Sequence, residues 1–343
     1  MIPALVLTAG LGTRLQPLSF VRAKGALPLG GEPLARRILR WLAGAGIRDA
    51  VLNLHHLPHT LTRAIGDGSD IGMRVRYSWE MPVLGSAGGP RRALPLLAGT
   101  PEGVPYDRGA DHAEALQRRV GSTSGVGDSR GSFLIVNGDT LTDVDVAALV
   151  AEHHSSRALV TMAVIPNTEP EKYSGVAADA AGRFTGFVPR GSPEPSFHFI
   201  GVQAAEPRAF ATVPPGTPYE VGALYPALAS AQPGSVRLFR TEADFLDIGT
   251  PADYLNTALT LADRDGLPCT GLNSRVDFSA SLERSVLWDD VVVEAGARLK
   301  ECVVADGVVV PADTSWHGVT LRLPTRELAA GERVIDGLAV CSL

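Results

Sequence analysis

The sequence predicts an α/β architecture, a mostly parallel sheet with flanking helices, followed by a smaller block of a different kind. Two features of patterning carry this. Over roughly the first 260 residues, short apolar runs alternate with amphipathic stretches, the rhythm of strands joined by helices. From Arg275 the hydrophobic beat changes to six residues, which suits neither a helix nor an ordinary strand. Size and composition agree. At 343 residues, 45% hydrophobic and 20% charged, the chain can bury one large core and something smaller.

Each element has its reason. Residues 4–9 read as a strand, 33–45 as a helix and 49–55 as a strand. Residues 58–65 then read as a helix, 73–79 as a strand and 89–97 as a helix. The apolar run Phe133-Leu134-Ile135-Val136 makes 133–137 a strand, leading to a helix over 144–154 and a strand over 158–165. His153 and His154, at the end of that helix, are expected in solvent, favoured by the helix dipole. Residues 99–131 are rich in Gly, Ser, Asp and Arg without periodicity and read as a surface insertion. Ligands of such sheets lie beyond the carboxyl ends of the strands.

In the last block Leu287, Val293, Leu299 and Ala305 fall six apart, and Val291, Ala297, Val303 and Val309 follow each by four. Ser279 and Ser285 extend the second series backwards. This pattern resembles the left-handed parallel β-helix of hexapeptide-repeat proteins. The expected division is a catalytic domain over 1–262, a short β-helix over 275–314 and a tail over 315–343. So short a helix suits capping or oligomerisation better than acyl transfer.

The formal net charge of −6 offers no general attraction for nucleic acid or an anionic membrane. Positive charge for a polyphosphate must therefore be local. No apolar run approaches membrane-spanning length. The amino-terminal Met1-Ile2-Pro3-Ala4-Leu5-Val6-Leu7 lacks a basic leader region and reads as a first strand. Cys269, Cys302 and Cys341 are scattered and odd in number, which fits a reducing cytoplasm.

The segment richest in chemistry runs Leu7-Thr8-Ala9-Gly10-Leu11-Gly12-Thr13-Arg14-Leu15-Gln16-Pro17-Leu18 and on to Ala23-Lys24-Gly25. A strand ends in a glycine loop, so backbone N–H groups can approach phosphate oxygens with no Cβ in the way. Arg14 adds a planar, permanently charged fork and Lys24 a compact ammonium, both suited to triphosphate oxygens. Lysine occurs only at Lys24, Lys172 and Lys300, so its presence here suggests that an ammonium is wanted. Gly10 and Gly12 alone would pass for a tight turn. Leu15, standing where a dinucleotide site has its third glycine, argues against that kind of site. Two aspartates sit at apparent strand ends, Asp139 in Asn137-Gly138-Asp139 and Asp247 in Phe245-Leu246-Asp247-Ile248-Gly249-Thr250-Pro251. Either one alone would pass for a turn residue. A pair beside a phosphate loop is what Mg²⁺ needs, since that ion keeps phosphate and water among its ligands.

Together these motifs resemble the sugar-phosphate nucleotidylyltransferases, whose signature Gly-x-Gly-Thr-Arg-Leu-x-Pro-Leu is followed by a Pro-Lys pair. Here Ala23 replaces that proline. The resemblance covers residues 2–262 and implies a Rossmann-like sheet. It gives Arg14, Lys24, Asp139 and Asp247 catalytic roles, with Mg²⁺ on the two aspartates. It assigns the nucleotide to Leu7, Ala9, Gly10, Gly12 and Thr13, and to Gly85, Ser86, Ala87 and Gly88 of Leu84-Gly85-Ser86-Ala87-Gly88-Gly89. It assigns the sugar phosphate to Asn137, Gly175, Gly201 and Arg190, the last replacing a lysine in an altered Val188-Pro189-Arg190-Gly191 stretch, with Glu220 substituting for a missing acid. His55, His56 and His59 read as a strand end common in such proteins, rather than as metal ligands.

The reaction implied is transfer of a nucleoside monophosphate from an NTP to a sugar 1-phosphate. The Leu84-Gly85-Ser86-Ala87-Gly88 and His55-His56-Leu57-Pro58 stretches look most like mannose-1-phosphate guanylyltransferases. Guanylyltransferases of heptose 1-phosphate and uridylyltransferases of N-acetylmuramate 1-phosphate are the alternatives. A non-catalytic nucleotide-sugar-binding subunit is the alternative of another class. Partners would be the two substrates and, through the β-helix, a second copy of the chain.

Overall fold

The computed structural model describes residues 2–98 and 131–343. The insertion expected over 99–131 lies outside the described residues, apart from Gly131. The chain divides into two compact units, one of Met1–Gly10, Ile38–His55 and Ile65–Phe245, the other of Leu11–Arg37, His56–Ala64 and Leu246–Leu343. In chain order the helices are α1 (Leu34–Gly44), α2 (Pro58–Ile65), α3 (Gly85–Leu97), α4 (Val146–Ser156), α5 (Val221–Ala231) and α6 (Pro251–Asp265). Among the described residues no helix is long and apolar enough to cross a membrane.

The first unit is built on a nine-stranded sheet. Its strands are β1 (Ala4–Leu7), β2 (Asp49–Leu54), β3 (Arg74–Trp79), β4 (Phe133–Asn137), β5 (Val160–Pro166), β6 (Gly175–Ala178), β7 (Phe184–Val188), β8 (Phe197–Ala205) and β9 (Val236–Arg240). They run in the order β7-β6-β8-β4-β1-β2-β3, with β5 paired to β8 and β9. The half β4-β1-β2-β3 is parallel. Strand β8 lies antiparallel to β4 and β5, so the sheet is mixed. Strands β1, β2 and β4 are almost wholly buried, which explains their continuous apolar sequences. Leu5, Val51, Ile135, Val160 and Met162 join Leu94, Phe210 and Tyr225 in one core cluster.

His153 departs from expectation. It is 1% exposed and its Nδ1 lies 3.0 Å from Thr161 Oγ1. Val146, Leu149 and His153 share the buried face of α4, as their helical spacing requires. His154 stays exposed. A polar residue completing an apolar stripe was therefore carried inward with it.

In the second unit the carboxyl-terminal block coils as short parallel strands, consistent with a left-handed β-helix. Each strand pairs with one 17 residues further on, the same step that Ser285 and Cys302 span. Thus Arg275 faces Val292, which faces Val309, and Leu282 faces Leu299, which faces Trp316. Three full hexads would need one residue more, so one side of each coil is shortened. The six-residue series consequently slips out of phase. Val291, Ala297 and Val303 are buried, but Val309, the next in that series, is 45% exposed while Val308 and Val310 take the core. Ser274, Ser279 and Ser285 each accept a hydrogen bond from a backbone N–H of the next coil. Residues 315–343 also hold strands, and Val319–Arg322, Leu338–Ser342 and Arg333–Ile335 form an antiparallel end to the coil.

Candidate active site

Strand β1 has β2 on one side and β4 on the other, so the order of the sheet reverses at β1. The carboxyl ends beside such a reversal form the usual ligand crevice of an open α/β sheet. Leu7 ends β1 opposite Asn137, the last residue of β4. The next residue, Gly138, donates from its N–H to Leu7 O at 2.9 Å, and a Cβ there would stand 2.5 Å from that oxygen. Only glycine lets the Asn-Gly-Asp turn lie so close, and the turn delivers half-buried Asp139 to the rim. At Gly10 a Cβ would meet nothing within 4 Å. Among the described residues no packing demands that glycine, and the room it leaves is open.

A buried polar chain fixes the start of this loop. Thr8 N–H and Ala9 N–H both donate to Asn53 Oδ1, at 2.6 and 3.2 Å. Asn53 Nδ2 donates to Glu80 Oε1 at 2.7 Å, and Leu84 N–H donates to Glu80 Oε2 at 2.8 Å. Asn53 and Glu80 are 3% and 2% exposed. One carboxylate thus ties the loop after β1 to the loop that opens α3. The sequence reading missed both residues as site elements. The signal available was an acid between Trp79 and Met81, just past the end of β3.

Gly85, Ser86, Ala87 and Gly88 form the first turn of α3, four residues earlier than its expected start. Glu220 Oε2 accepts from Ser86 N–H at 3.0 Å and from Ser86 Oγ. Tyr219 O accepts from Ala87 and Gly88 N–H. These partners satisfy amides that a helix start leaves open. Gly85 has φ +76°, and a Cβ there would stand 2.9 Å from Tyr219 O. Glu220, expected from sequence at the sugar phosphate, is hydrogen-bonded to Ser86, in the segment expected from sequence at the nucleotide.

Of the other residues assigned from sequence to the sugar phosphate, Gly201 and Asn137 lie together. Gly201 sits at the irregularity in β8 with φ +77°, and a Cβ there would stand 2.9 Å from Asn137 Cβ. Gly175 pairs with Val188 across β6 and β7, and exposed Arg190 follows two residues later. In the same unit Tyr173, His198 and Phe245 cluster, with the His198 ring tilted 4.2 Å from Tyr173 and edge-on 4.7 Å from Phe245 between centroids.

The second unit holds the remainder. Gly12, with φ +62°, accepts from Leu15 N–H at 2.9 Å and from Ser19 Oγ at 2.8 Å. A Cβ on it would stand 3.1 Å from Ser19 Cβ and 4.0 Å from Lys24 Cβ, so loop and lysine fold back on each other. Thr13 and Arg14 form a short turn after Gly12 and are both exposed. Arg14 and Asp247 meet at Gly249, where a Cβ would stand 3.2 Å from Asp247 Oδ2 and 3.5 Å from Arg14 Nη1. Thr250 and Asp253 then start α6 with a reciprocal capping box. His56 Nε2 lies 2.7 Å from Ser19 O, and in the first unit His55 Nδ1 lies 2.9 Å from Glu80 O. Both imidazoles orient loops. Among the described residues no three His, Cys, Asp or Glu side chains gather as a metal site.

A mixed sheet whose order reverses at its first strand, with a glycine turn following that strand in sequence, defines the class of open α/β proteins. The sequence profile of the Nucleotidyl transferase family matches residues 3–264, and the chain belongs to that family. It is similar to the mannose-1-phosphate guanylyltransferase of Mycobacterium tuberculosis, with 27% identity over 91% of this chain and 82% of the relative. The N-acetylmuramate alpha-1-phosphate uridylyltransferase of Neisseria meningitidis is 35% identical over 42% of this chain and 50% of its own. Among solved structures, HddC from Yersinia pseudotuberculosis complexed with GMP-PN superposes with a TM-score of 0.58 at 18% identity, over 76% of this chain and all of that one. That last likeness is one of fold.

Proposed function

We propose that this chain transfers a nucleoside monophosphate from an NTP to a sugar 1-phosphate, with GTP and mannose 1-phosphate as its pair. The observation that carries the reading is the end of β1 at the sheet reversal, where Leu7 pairs with Asn137 and accepts a hydrogen bond from Gly138, the residue before Asp139. The choice of substrates rests on the Mycobacterium relative, the longer of the two sequence matches.

In the proposed reaction a phosphate oxygen of the sugar 1-phosphate attacks the α-phosphorus. The bond from that phosphorus to the bridging oxygen of the β-phosphate breaks, and pyrophosphate leaves with the electron pair. The nucleophile is already anionic, so positioning and charge neutralisation supply the catalysis. Backbone N–H groups of Gly10, Gly12 and Thr13 cradle the phosphates, Leu7 and Ala9 line the nucleotide with the Thr8 and Ala9 amides held by Asn53, and Arg14 and Lys24 hold the triphosphate and steady the departing pyrophosphate. Gly85, Ser86, Ala87 and Gly88 seat the nucleotide, with Glu220 acting through Ser86. Asn137, Gly175, Gly201 and Arg190 receive the sugar phosphate.

Asp139 and Asp247 would hold Mg²⁺. Two carboxylates suit an ion that keeps phosphate and water ligands, and the approach of Asp247 Oδ2 and Arg14 Nη1 to Gly249 puts a carboxylate suited to the ion beside a cation suited to its phosphate ligand. When bound, the ion would neutralise charge on the reacting phosphates. A cytoplasmic setting belongs to the same proposal, supported by three unpaired cysteines, as does a homo-oligomer formed through the β-helix.

The test is a panel of nucleoside triphosphates crossed with sugar 1-phosphates and scored by pyrophosphate release. GTP with mannose 1-phosphate is expected to give the highest kcat/KM. Preference for UTP with N-acetylmuramate 1-phosphate would overturn the substrate choice. Binding of GDP-mannose without turnover of any pair would overturn the enzymatic reading.

A further inference from the structure

We infer that the β-helix of this chain is a working part of its catalytic centre, because it braces the lysine segment through Arg22. The inference rests on the reading of Lys24 as a triphosphate ligand. Arg22 stands two residues before Lys24. Its Nε and Nη2 donate to Asp306 Oδ2 and Oδ1, each at 2.7 Å, and Nη2 also donates to Asp289 Oδ2 at 2.6 Å. Its guanidinium carbon lies 5.6 Å from the Trp288 ring centroid. Trp288 is fully buried, and its Nε1 donates at 2.8 Å to Tyr254 OH, which donates to Pro28 O. Both ends of the stretch from Arg22 to Pro28 are thus tied to one patch around Trp288.

The two aspartates are themselves fixed. Asp289 N–H donates to Asp306 Oδ1, and Leu272 N–H donates to Asp289 Oδ1. They occupy equivalent places on successive coils, 17 residues apart, as Leu272 and Asp289 also are. The coil spacing therefore matches the two-pronged fork of one arginine, which a lysine could not reproduce.

Position 23 supplies the independent observation. Ala23 has φ −55° and ψ 147°, a φ within the range that a proline ring would impose. Its N–H is in use, donating to Thr60 Oγ1 at 3.1 Å, while that hydroxyl donates to Leu57 O at 2.7 Å. A proline here would lose the donor and push its ring into Thr60. In this chain the backbone setting ahead of Lys24 is held by Thr60 on one side and by the β-helix on the other. Arg22, Asp289, Asp306 and Thr60 are positioning residues that act on Lys24 through the backbone.

The experiment uses the full chain and steady-state pyrophosphate release, at a temperature where circular dichroism shows every variant folded. Arg22→Ala is expected to lower kcat by about 10- to 100-fold, the scale of a displaced catalytic group, with KM for the triphosphate changed far less. Arg22→Lys should recover part of the loss, and Thr60→Ala should lower kcat by several-fold. Asp306→Asn should act as a weaker copy of Arg22→Ala and provides the test should Arg22→Ala not fold. Adding Asp306→Asn to Arg22→Ala should cost nothing further. Full kcat in Arg22→Ala, or losses that multiply in the double variant, would overturn the inference. Lys24→Ala separates the two levels. If Lys24→Ala is inactive while Arg22→Ala is fully active, the bracing fails and the reading of Lys24 stands. If Lys24→Ala is fully active, that reading fails.

Discussion

Asn53 and Glu80, both buried, are joined by one hydrogen bond of 2.7 Å, and through it the loop after β1 is coupled to the first turn of α3. The remaining polar atoms are committed on either side, to Thr8 and Ala9 from Asn53 and to Leu84 from Glu80. Gly89 belongs to this arrangement, since a Cβ there would stand 2.6 Å from Glu80 Oε1. The two proposed nucleotide-binding segments therefore share one anchor.

Breaking the anchor should cost stability and nucleotide affinity together. Asn53→Leu strands a carboxylate oxygen and two backbone N–H groups, so a loss of about 2–3 kcal/mol is expected, the penalty of unsatisfied buried polar groups. Urea unfolding would measure it. KM for the triphosphate should rise, and an unchanged midpoint with unchanged KM would show that the anchor is idle.

Charge at the reacting phosphates is the next expectation. Lys24→Ala and Asp139→Ala should each lower kcat by at least about 10²-fold, the scale seen when one preorganised electrostatic group is removed. Near-normal turnover in a pyrophosphate assay would contradict those assignments.

Gly201 offers a backbone test on the sugar side. Its φ of +77° and its approach to Asn137 mean that Gly201→Ala must shift β8 or Asn137. A stability loss of about 1–2 kcal/mol is expected from the left-handed conformation alone. KM for the sugar 1-phosphate should rise more than KM for the triphosphate. Equal changes in both would remove Gly201 from the sugar subsite.

Acid stability should report His153. Burial, aided by neighbouring His154, lowers its pKa to about 4, below the value near 6.5 of an unfolded chain. Between those values the unfolded chain binds a proton that the folded chain refuses. The stability contribution of His153 is therefore complete above about pH 6.5 and is lost progressively as pH falls towards 4. His153→Leu should flatten that part of the urea-midpoint profile. An unaltered slope would place the acid sensitivity elsewhere.

How far the sequence reveals this fold depends on the range of the forces involved. Strand β4 and helix α2 have the bounds that periodicity predicts, because local apolar runs determine them. The start of α3 does not, since Gly85, Gly88, Gly89 and Pro90 are poor helix formers and the amides of Ser86, Ala87 and Gly88 are satisfied by Glu220 and Tyr219, more than a hundred residues away. The six-residue beat found the β-helix, yet a shortened side moved Val309 outward. Glycine loop, lysine and aspartates were legible as motifs because their chemistry is local. Glu80 and Arg22 were not, because nothing near them in sequence names the partners that give them a purpose.

The most direct test of the central claim is the stoichiometry of the reaction with GTP, mannose 1-phosphate and Mg²⁺. One pyrophosphate and one GDP-mannose are expected for each GTP consumed, with both products abolished by EDTA and strongly reduced in Asp247→Asn. GTP consumption that yields inorganic phosphate without GDP-mannose, or product formation indifferent to Asp247, would contradict that claim.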